Sequence, residues 1–316
     1  MTSRLWRHFI LAASLTACFP LLGQVQLKPV SDGIAIDIGG KPFSSLHMGP
    51  DAPKPYLHPI RSASGKEVTR GFPMETVEGE SHDHPHQRGL WFAHEDVNGF
   101  DFWNNEFSYT TKNRGFIVLD RLVSAQSGQK SGTIHAIFDW KDPHGKILVK
   151  EDRTMTFYDD PLLRTMDFDI TLTAVTDCVF GDAKDGTFGI RIADAMNEKH
   201  TGKITDSEGR VGMKEVWGKR ADWVDYVGTI AGEKLGIAIF DHPANPGHPN
   251  RWHARDYGLF ALNPFGDHVF DKSAPITPHP LPAGKSWRYR WRVIIHPGDT
   301  QSAGIAGMYK KYAASQ

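Results

Sequence analysis

The chain has 316 residues and a formal net charge of -1, from 36 Lys and Arg against 37 Asp and Glu. That balance offers no bulk attraction to nucleic acid or to an anionic membrane surface. Hydrophobic residues at 40% and charged residues at 23% exclude wholesale disorder, and two cysteines, Cys18 and Cys178, exclude a disulfide scaffold.

Residues 1–24 read as an export leader. Arg4, Arg7 and His8 make a basic start, and Phe9 to Ala17 is apolar and uncharged. The run is shorter than the roughly 20 residues that span a bilayer. Leu15-Thr16-Ala17-Cys18 resembles a lipobox, so lipid anchoring through Cys18 competes with cleavage after Gly23 or Gln24 and soluble release. Either outcome places the protein outside the cytoplasm. No second span follows.

From residue 25 onward the dominant signal is two-residue alternation. In chain order the expected strands are Gly33–Ile38 and residues 133–140, 146–157, 165–174, 188–193, 223–230, 235–240 and 287–295. In 165–174, Met166, Phe168, Ile170 and Leu172 alternate with Thr and Asp. In 287–295, Trp287, Tyr289, Trp291 and Val293 alternate with Arg288, Arg290 and Arg292, a ladder that reads as a solvated sheet face. Turn signals such as Asp142-Pro143-His144-Gly145 separate the strands. Cys178 reads as a small buried hydrophobe. Only 300–315 reads as a helix, with Ile305, Met308, Tyr309 and Tyr312 on one face and Asp299 or Thr300 as N-cap. The expected fold is all-β: a large antiparallel β-sandwich with one C-terminal helix, residues 25–316 forming a single domain. A division near 180–186 is the alternative.

Histidine is unevenly placed. Eight of the 16 fall in residues 82–103 and 242–268, about a sixth of the chain. Imidazole titrates near neutral pH and binds metals, so such clusters mark candidate sites. In the first window Pro85 biases His84 away from helical geometry. An extended chain there would point His82, His84 and His86 to one side, where they could hold a divalent metal, line a metal-free polar site, or bond a loop base. The second window follows a strand and is rich in Pro, Asn and Gly, as expected of a long ordered loop. Trp252 and Tyr257 flank His253, Arg255 and Asp256. Aromatic faces beside polar groups suit a sugar. The two windows are expected to face one cleft, with Trp91, Trp252 and Tyr257 as apolar walls.

Neither a nucleophile elbow nor a phosphate loop nor a dinucleotide fingerprint is present. The segments His84-Pro85-His86-Gln87-Arg88-Gly89-Leu90-Trp91-Phe92, Asp96-Val97-Asn98-Gly99, Asp101-Phe102-Trp103, Asp241-His242-Pro243, Asp256-Tyr257-Gly258-Leu259-Phe260 and Asn263-Pro264-Phe265 resemble the exported bacterial PmoA-like family, labelled "methane oxygenase PmoA". The resemblance covers roughly residues 30–312. His94-Glu95-Asp96 stands where many relatives would have His-Gly-Asp. The resemblance implies a secreted domain often found with sugar-related oxidoreductases and isomerases. A galactose-mutarotase-like supersandwich is the fold analogy.

The functional expectation is an exported carbohydrate-active enzyme using His-mediated acid/base chemistry on a sugar or keto-sugar, by epimerisation, elimination or hydrolysis. Its acids and bases would be His84, His86, His242 and His253, with Arg88 and Arg255 orienting an oxyanion and Asp256 and Glu95 as carboxylate partners of a histidine. Trp91, Trp252, Tyr257 and Asn98 would bind substrate. The expected partner is a small-molecule or oligosaccharide ligand, not nucleic acid. The rival expectations are a metal-dependent oxygenase, with His82, His84 and His86 as ligands, and a non-catalytic glycan-binding module.

Overall fold

A computed structural model describes residues 24–315. The expected leader and Cys18 therefore lie, but for Gln24, outside the described residues. Among those described, no helix is long and apolar enough to cross a membrane.

Two eight-stranded antiparallel sheets dominate. The first runs Val25–Val30, Gly33–Ile38, Lys41–His47, Tyr56–Leu57, Leu90–His94, Gly186–Arg191, Leu259–Asn263, Arg251–Ala254. The second runs Lys203–Asp206, Trp223–Ile230, Glu233–Asp241, Ser286–Pro297, Arg164–Ala174, Ile147–Tyr158, Ser131–Lys141, Phe116–Gln126. The alternation predicted for 165–174 appears as strict alternation of burial along Arg164–Ala174. Successive strand residues face opposite sides, so one apolar set turns inward. Phe168 meets Phe188 at 4.8 Å, Phe188 stacks on Trp291 at 4.7 Å, and Phe92 packs on Trp291 at 5.5 Å. These aromatics join the inner faces of the sheets in one continuous core. The outer Arg ladder is paired across strands: Arg292 forms a fork with Asp167, and Arg288 with Asp169. Cys178 is buried, and its thiol donates to the Leu148 carbonyl at 3.4 Å.

The C-terminal helix is shorter than expected, Ile305–Ala313. Neither Asp299 nor Thr300 is its N-cap. Gly304 holds that position in a left-handed conformation, φ 71°, which glycine adopts without steric cost. Asp299 instead caps a preceding turn, accepting from the Ser302 amide at 2.8 Å. The helix lays Ile305, Tyr309 and Tyr312 against Trp223, Phe240 and Ile294 on the outer face of the second sheet.

The corresponding outer face of the first sheet carries the polar side chains that matter. Phe188 faces inward, so Thr187, Gly189 and Arg191 face outward. Gly189 lies against Ala261, which pairs with His253, placing His253 on the same face. A Cβ added at Gly189 would lie 2.8 Å from the Trp103 indole and strike it. The close approach of Trp103 thus requires glycine there.

Candidate functional site

His84 begins a tight turn. Its φ is 44°, in the left-handed region, and the Gln87 amide donates to its carbonyl at 3.0 Å, with Pro85 second in the turn. This corrects the extended geometry expected for 82–86. Pro85 removes the helical option, but a turn satisfies that restriction as well as a strand does. Three imidazoles therefore do not line one side. His82 turns away and stacks on Phe72 at 4.8 Å. His84 stacks on Tyr257 at 5.3 Å with planes 4° apart, and meets His86 edge-on at 5.7 Å. Among the described residues no three His, Cys, Asp or Glu side chains are grouped to hold a metal ion. The His82, His84, His86 metal set does not fit.

Two buried arginines organise the turn. Arg70 and Arg191 both donate to Asp83, at 2.5 Å and 2.8 Å, and Arg70 also donates to the His84 carbonyl at 3.0 Å. Arg191 donates further to Gln87 at 2.6 Å and lies over the Tyr257 ring at 4.6 Å. Asp83 faces His84 Nδ1 at 3.2 Å, and both side chains are 42% exposed. Burial alone would raise the Asp83 carboxyl; Arg191, His84 and Arg70 outweigh it and hold the group below the usual range. The result is an accessible imidazole beside an ionised, anchored carboxylate.

Next to it, His86 is only 4% exposed. Burial, reinforced by Lys54 and His84, pushes it well below the usual histidine range, so it is neutral. Its Nδ1 lies 2.7 Å from the Tyr109 hydroxyl, and the tautomer decides which group donates. Burial and Glu106 raise the Tyr109 phenol, which keeps its proton. Beneath, fully buried Lys54 donates to the Trp103 carbonyl at 2.8 Å and to Asn105 Oδ1 at 2.7 Å, bracing the loop that covers the face. Burial lowers this amine to about 7.

The second histidine window divides in two. Its latter half joins the first window: Tyr257 stacks on His84, and the Arg255 guanidinium lies 5.4 Å from the Tyr257 ring centre. His253 is 1% exposed, with Nδ1 3.5 Å from Asp185. Burial, Lys184, Arg255 and His84 lower it to about 3, so it is neutral and close enough to feel His84. Asp256 is half-buried and makes no ion pair among the described residues. The former half lies elsewhere. His242 donates from Nε2 to the Ser315 carbonyl at 3.1 Å, accepts from the Ala244 amide at 3.0 Å, and meets Tyr312 edge-on. It fastens the C-terminal segment to the second sheet, which corrects its expected place in the cleft.

Other expectations are also revised. Arg88 is committed to a fork with Glu106, at 2.9 Å and 2.7 Å, so it has no free fork for an oxyanion. Trp91 and Trp252 are 0% exposed. Trp91 is covered by Trp103 at 4.8 Å, and Trp252 donates its indole N–H to the Ala221 carbonyl at 2.9 Å. Both are core rather than ligand walls. Asn98 is a turn anchor, receiving the Val179 amide at 2.7 Å. Among the described residues Glu95 partners no histidine; it accepts from the Asp185 amide at 3.2 Å beside an acidic cleft of about 550 Å³. Burial, then Asp185 and Asp101, raise it to about 7.

The sequence reading missed Arg70, Arg191, Asp83, Tyr109 and Asp185. Asp83 stood inside the histidine window. The others are single polar residues, Arg191 on a strand and Arg70, Tyr109 and Asp185 on loops, whose role comes from the tertiary fold, with no local pattern to announce them.

No curated protein matches the chain. Similar solved structures include the GH36 α-galactosidase AgaA from Geobacillus stearothermophilus, at 10% identity and TM-score 0.42, covering 87% of this chain and 40% of that one. Heparan sulfate lyase HepC from Pedobacter heparinus is 9% identical, TM-score 0.39, covering 87% and 35%. A galactose mutarotase related enzyme from Lactobacillus acidophilus is 9% identical, TM-score 0.36, covering 87% and 98%. The chain spans about two-fifths of the α-galactosidase's length. A family model matches residues 33–310, nearly the whole of both sheets and the C-terminal helix, and the chain belongs to that family, a family of unknown function named DUF6807.

Proposed function

We propose that this protein is an exported enzyme that transfers a proton to or from a sugar or oxidised sugar at the His84 turn. The observation that carries the reading is the accessible His84 imidazole beside Asp83, a carboxylate that two buried arginines hold in place. A carboxylate on Nδ1 fixes the tautomer that leaves Nε2 free to accept a proton. Tyr109, hydrogen-bonded to neutral His86 beside His84, is the partner acid. Sugar hydroxyls and a carbonyl suit the dense donors of this face. Export rests on the leader read in residues 1–24.

The test is solvent exchange. Purified protein is incubated in deuterated buffer with a panel of sugars, keto-sugars and sugar acids, and proton NMR follows loss of carbon-bound hydrogen. The expected result is exchange or turnover with at least one member, reduced about 100-fold or more in His84→Ala with the melting temperature kept. No exchange with any member, or full activity in the His84→Ala variant, overturns it.

A further inference from the structure

We infer that the ligand of the His84 site carries a carboxylate, received by Arg255 with Lys199. The inference rests on the reading of His84 as the reacting base and adds the charge of what it acts on.

Three cations crowd one aromatic ring. Arg191, Arg255 and Lys199 lie 4.6, 5.4 and 5.9 Å from the Tyr257 ring centre, and His84 stacks on the same ring. Arg191 commits both terminal nitrogens, to Gln87 on one side and to Asp83 and Ser81 on the other. Arg70, nearby, commits its terminal nitrogens to Asp83 and the His84 carbonyl. Arg255 is different. All three arginines leave a buried Nε without a partner, but among the described residues the Arg255 guanidinium alone of the three has no ion pair and no hydrogen bond on its terminal nitrogens either. Lys199 is exposed and likewise has no ion pair among them.

The acidic neighbours do not resolve this. Asp83 is taken up by Arg70, Arg191 and His84. Asp185 faces His253 and Lys184, and Glu198 accepts from the Ile204 and Met213 amides. Asp256, next in the chain, makes no ion pair with Arg255. A ring face compensates a guanidinium only in part. A planar fork with no protein partner, beside a second unpaired cation, is the arrangement that receives a carboxylate. Held there, a carboxylate would also place an adjacent C–H near His84, and two cations would stabilise the charge that develops when that proton leaves.

Binding of defined probes to the mature chain tests this by calorimetry: D-glucuronate, D-galacturonate and D-gluconate as carboxylates, D-glucose as the neutral control, and glucose 6-phosphate and inorganic phosphate as competing anions. At least one carboxylate is expected to bind about tenfold or more tightly than glucose, with the advantage shrinking in high salt. Arg255→Gln should remove the advantage and Lys199→Gln should reduce it. Lys199 is exposed, so its variant stays informative even if Arg255→Gln unfolds. Equal affinity for glucose and all carboxylates, no carboxylate binding, unchanged binding in both variants, or phosphate binding as tightly as the best carboxylate would each overturn the inference. Its failure is separable from that of the proposed reaction. His84-dependent exchange on neutral sugars alone removes the carboxylate and keeps the reaction. Arg255-dependent carboxylate binding without exchange keeps the anion site and removes the reaction.

Discussion

His84 and Tyr257, far apart in the chain, stack with planes 4° apart and ring centres at 5.3 Å. This contact joins the two histidine-rich segments. It also ties the His84 turn to Arg191 and Arg255, which lie over the same ring. Tyr257 therefore sets the geometry of groups that it does not hydrogen-bond.

Replacing Tyr257 should separate packing from the hydroxyl. Tyr257→Ala removes a stacking partner and three cation–π contacts, and is expected to cost about 2 kcal/mol of stability. It should also abolish turnover, because the His84 ring loses its support. Tyr257→Phe keeps the ring and should retain most of both. Urea unfolding and the NMR exchange assay check this; equal effects of the two variants would contradict a positioning role for the ring.

Asp83 neutralises two guanidinium groups that are 0% and 1% exposed. Asp83→Asn should destabilise the fold by about 2 kcal/mol at pH 7, a discounted figure because Asp83 itself reaches solvent. The pH dependence has a fixed sign. A carboxyl held below its unfolded value contributes stability above about pH 4, lost as pH falls through the lowered folded value. Wild-type protein should thus lose this contribution as pH falls below about pH 4, while Asp83→Asn shows a flatter acid limb. Identical acid limbs in urea melts would refute the assignment.

The sandwich was legible because alternation is a direct record of two-sided strands. Arg164–Ala174 and Ser286–Pro297 were readable for that reason. Leu90–His94 and Leu259–Asn263 are buried along their whole length, so they show no alternation and give no strand period. The site was half legible. His84, His86, His253, Arg255 and Tyr257 could be picked out by composition, but the choice between Trp91 as wall and Trp91 as core depended on Trp103 folding over it. His242 was drawn in by its window, whereas the strand Glu233–Asp241 delivers it to the other sheet. Arg70, on a loop, and Arg191, at a strand end, become visible only once the fold sets them around Asp83.

A second pH dependence comes from the second sheet. His296 and Asp225 are buried there, with Nε2 3.1 Å from Oδ1. Burial lowers His296, but Asp225 and the Pro297 carbonyl outweigh it, and the folded value is raised. Stability from this pair is fully present below the unfolded value near 6.5 and is lost as pH rises through the higher folded value. Asp225→Asn leaves a buried cation and should cost about 3 kcal/mol at about pH 5.5, and distinctly less once pH has risen past the raised folded value. His296→Gln should remove the alkaline slope. Unfolding midpoints from about pH 5 to about pH 9 measure both, and a slope that survives His296→Gln would place its origin in another group.

Glu95 gives a prediction in which the substitution stabilises the fold. Burial and the neighbouring Asp185 and Asp101 raise its carboxyl to about 7, against an ordinary value of 4.5. The folded state holds this proton more tightly than the unfolded chain does. Stability is therefore greatest below about pH 4.5 and falls as pH climbs to about 7, because the buried group must ionise. Glu95→Gln removes the charge while retaining an oxygen that can accept from the Asp185 amide. It should change little at about pH 4.5 and stabilise the fold at about pH 8 by about 1 kcal/mol, a figure reduced for partial solvent access. Urea melts at the two pH values decide it. Destabilisation at the higher pH would mean that the ionised carboxylate has a cationic partner on this face, with Lys184, which lines the same cleft, as the first to replace.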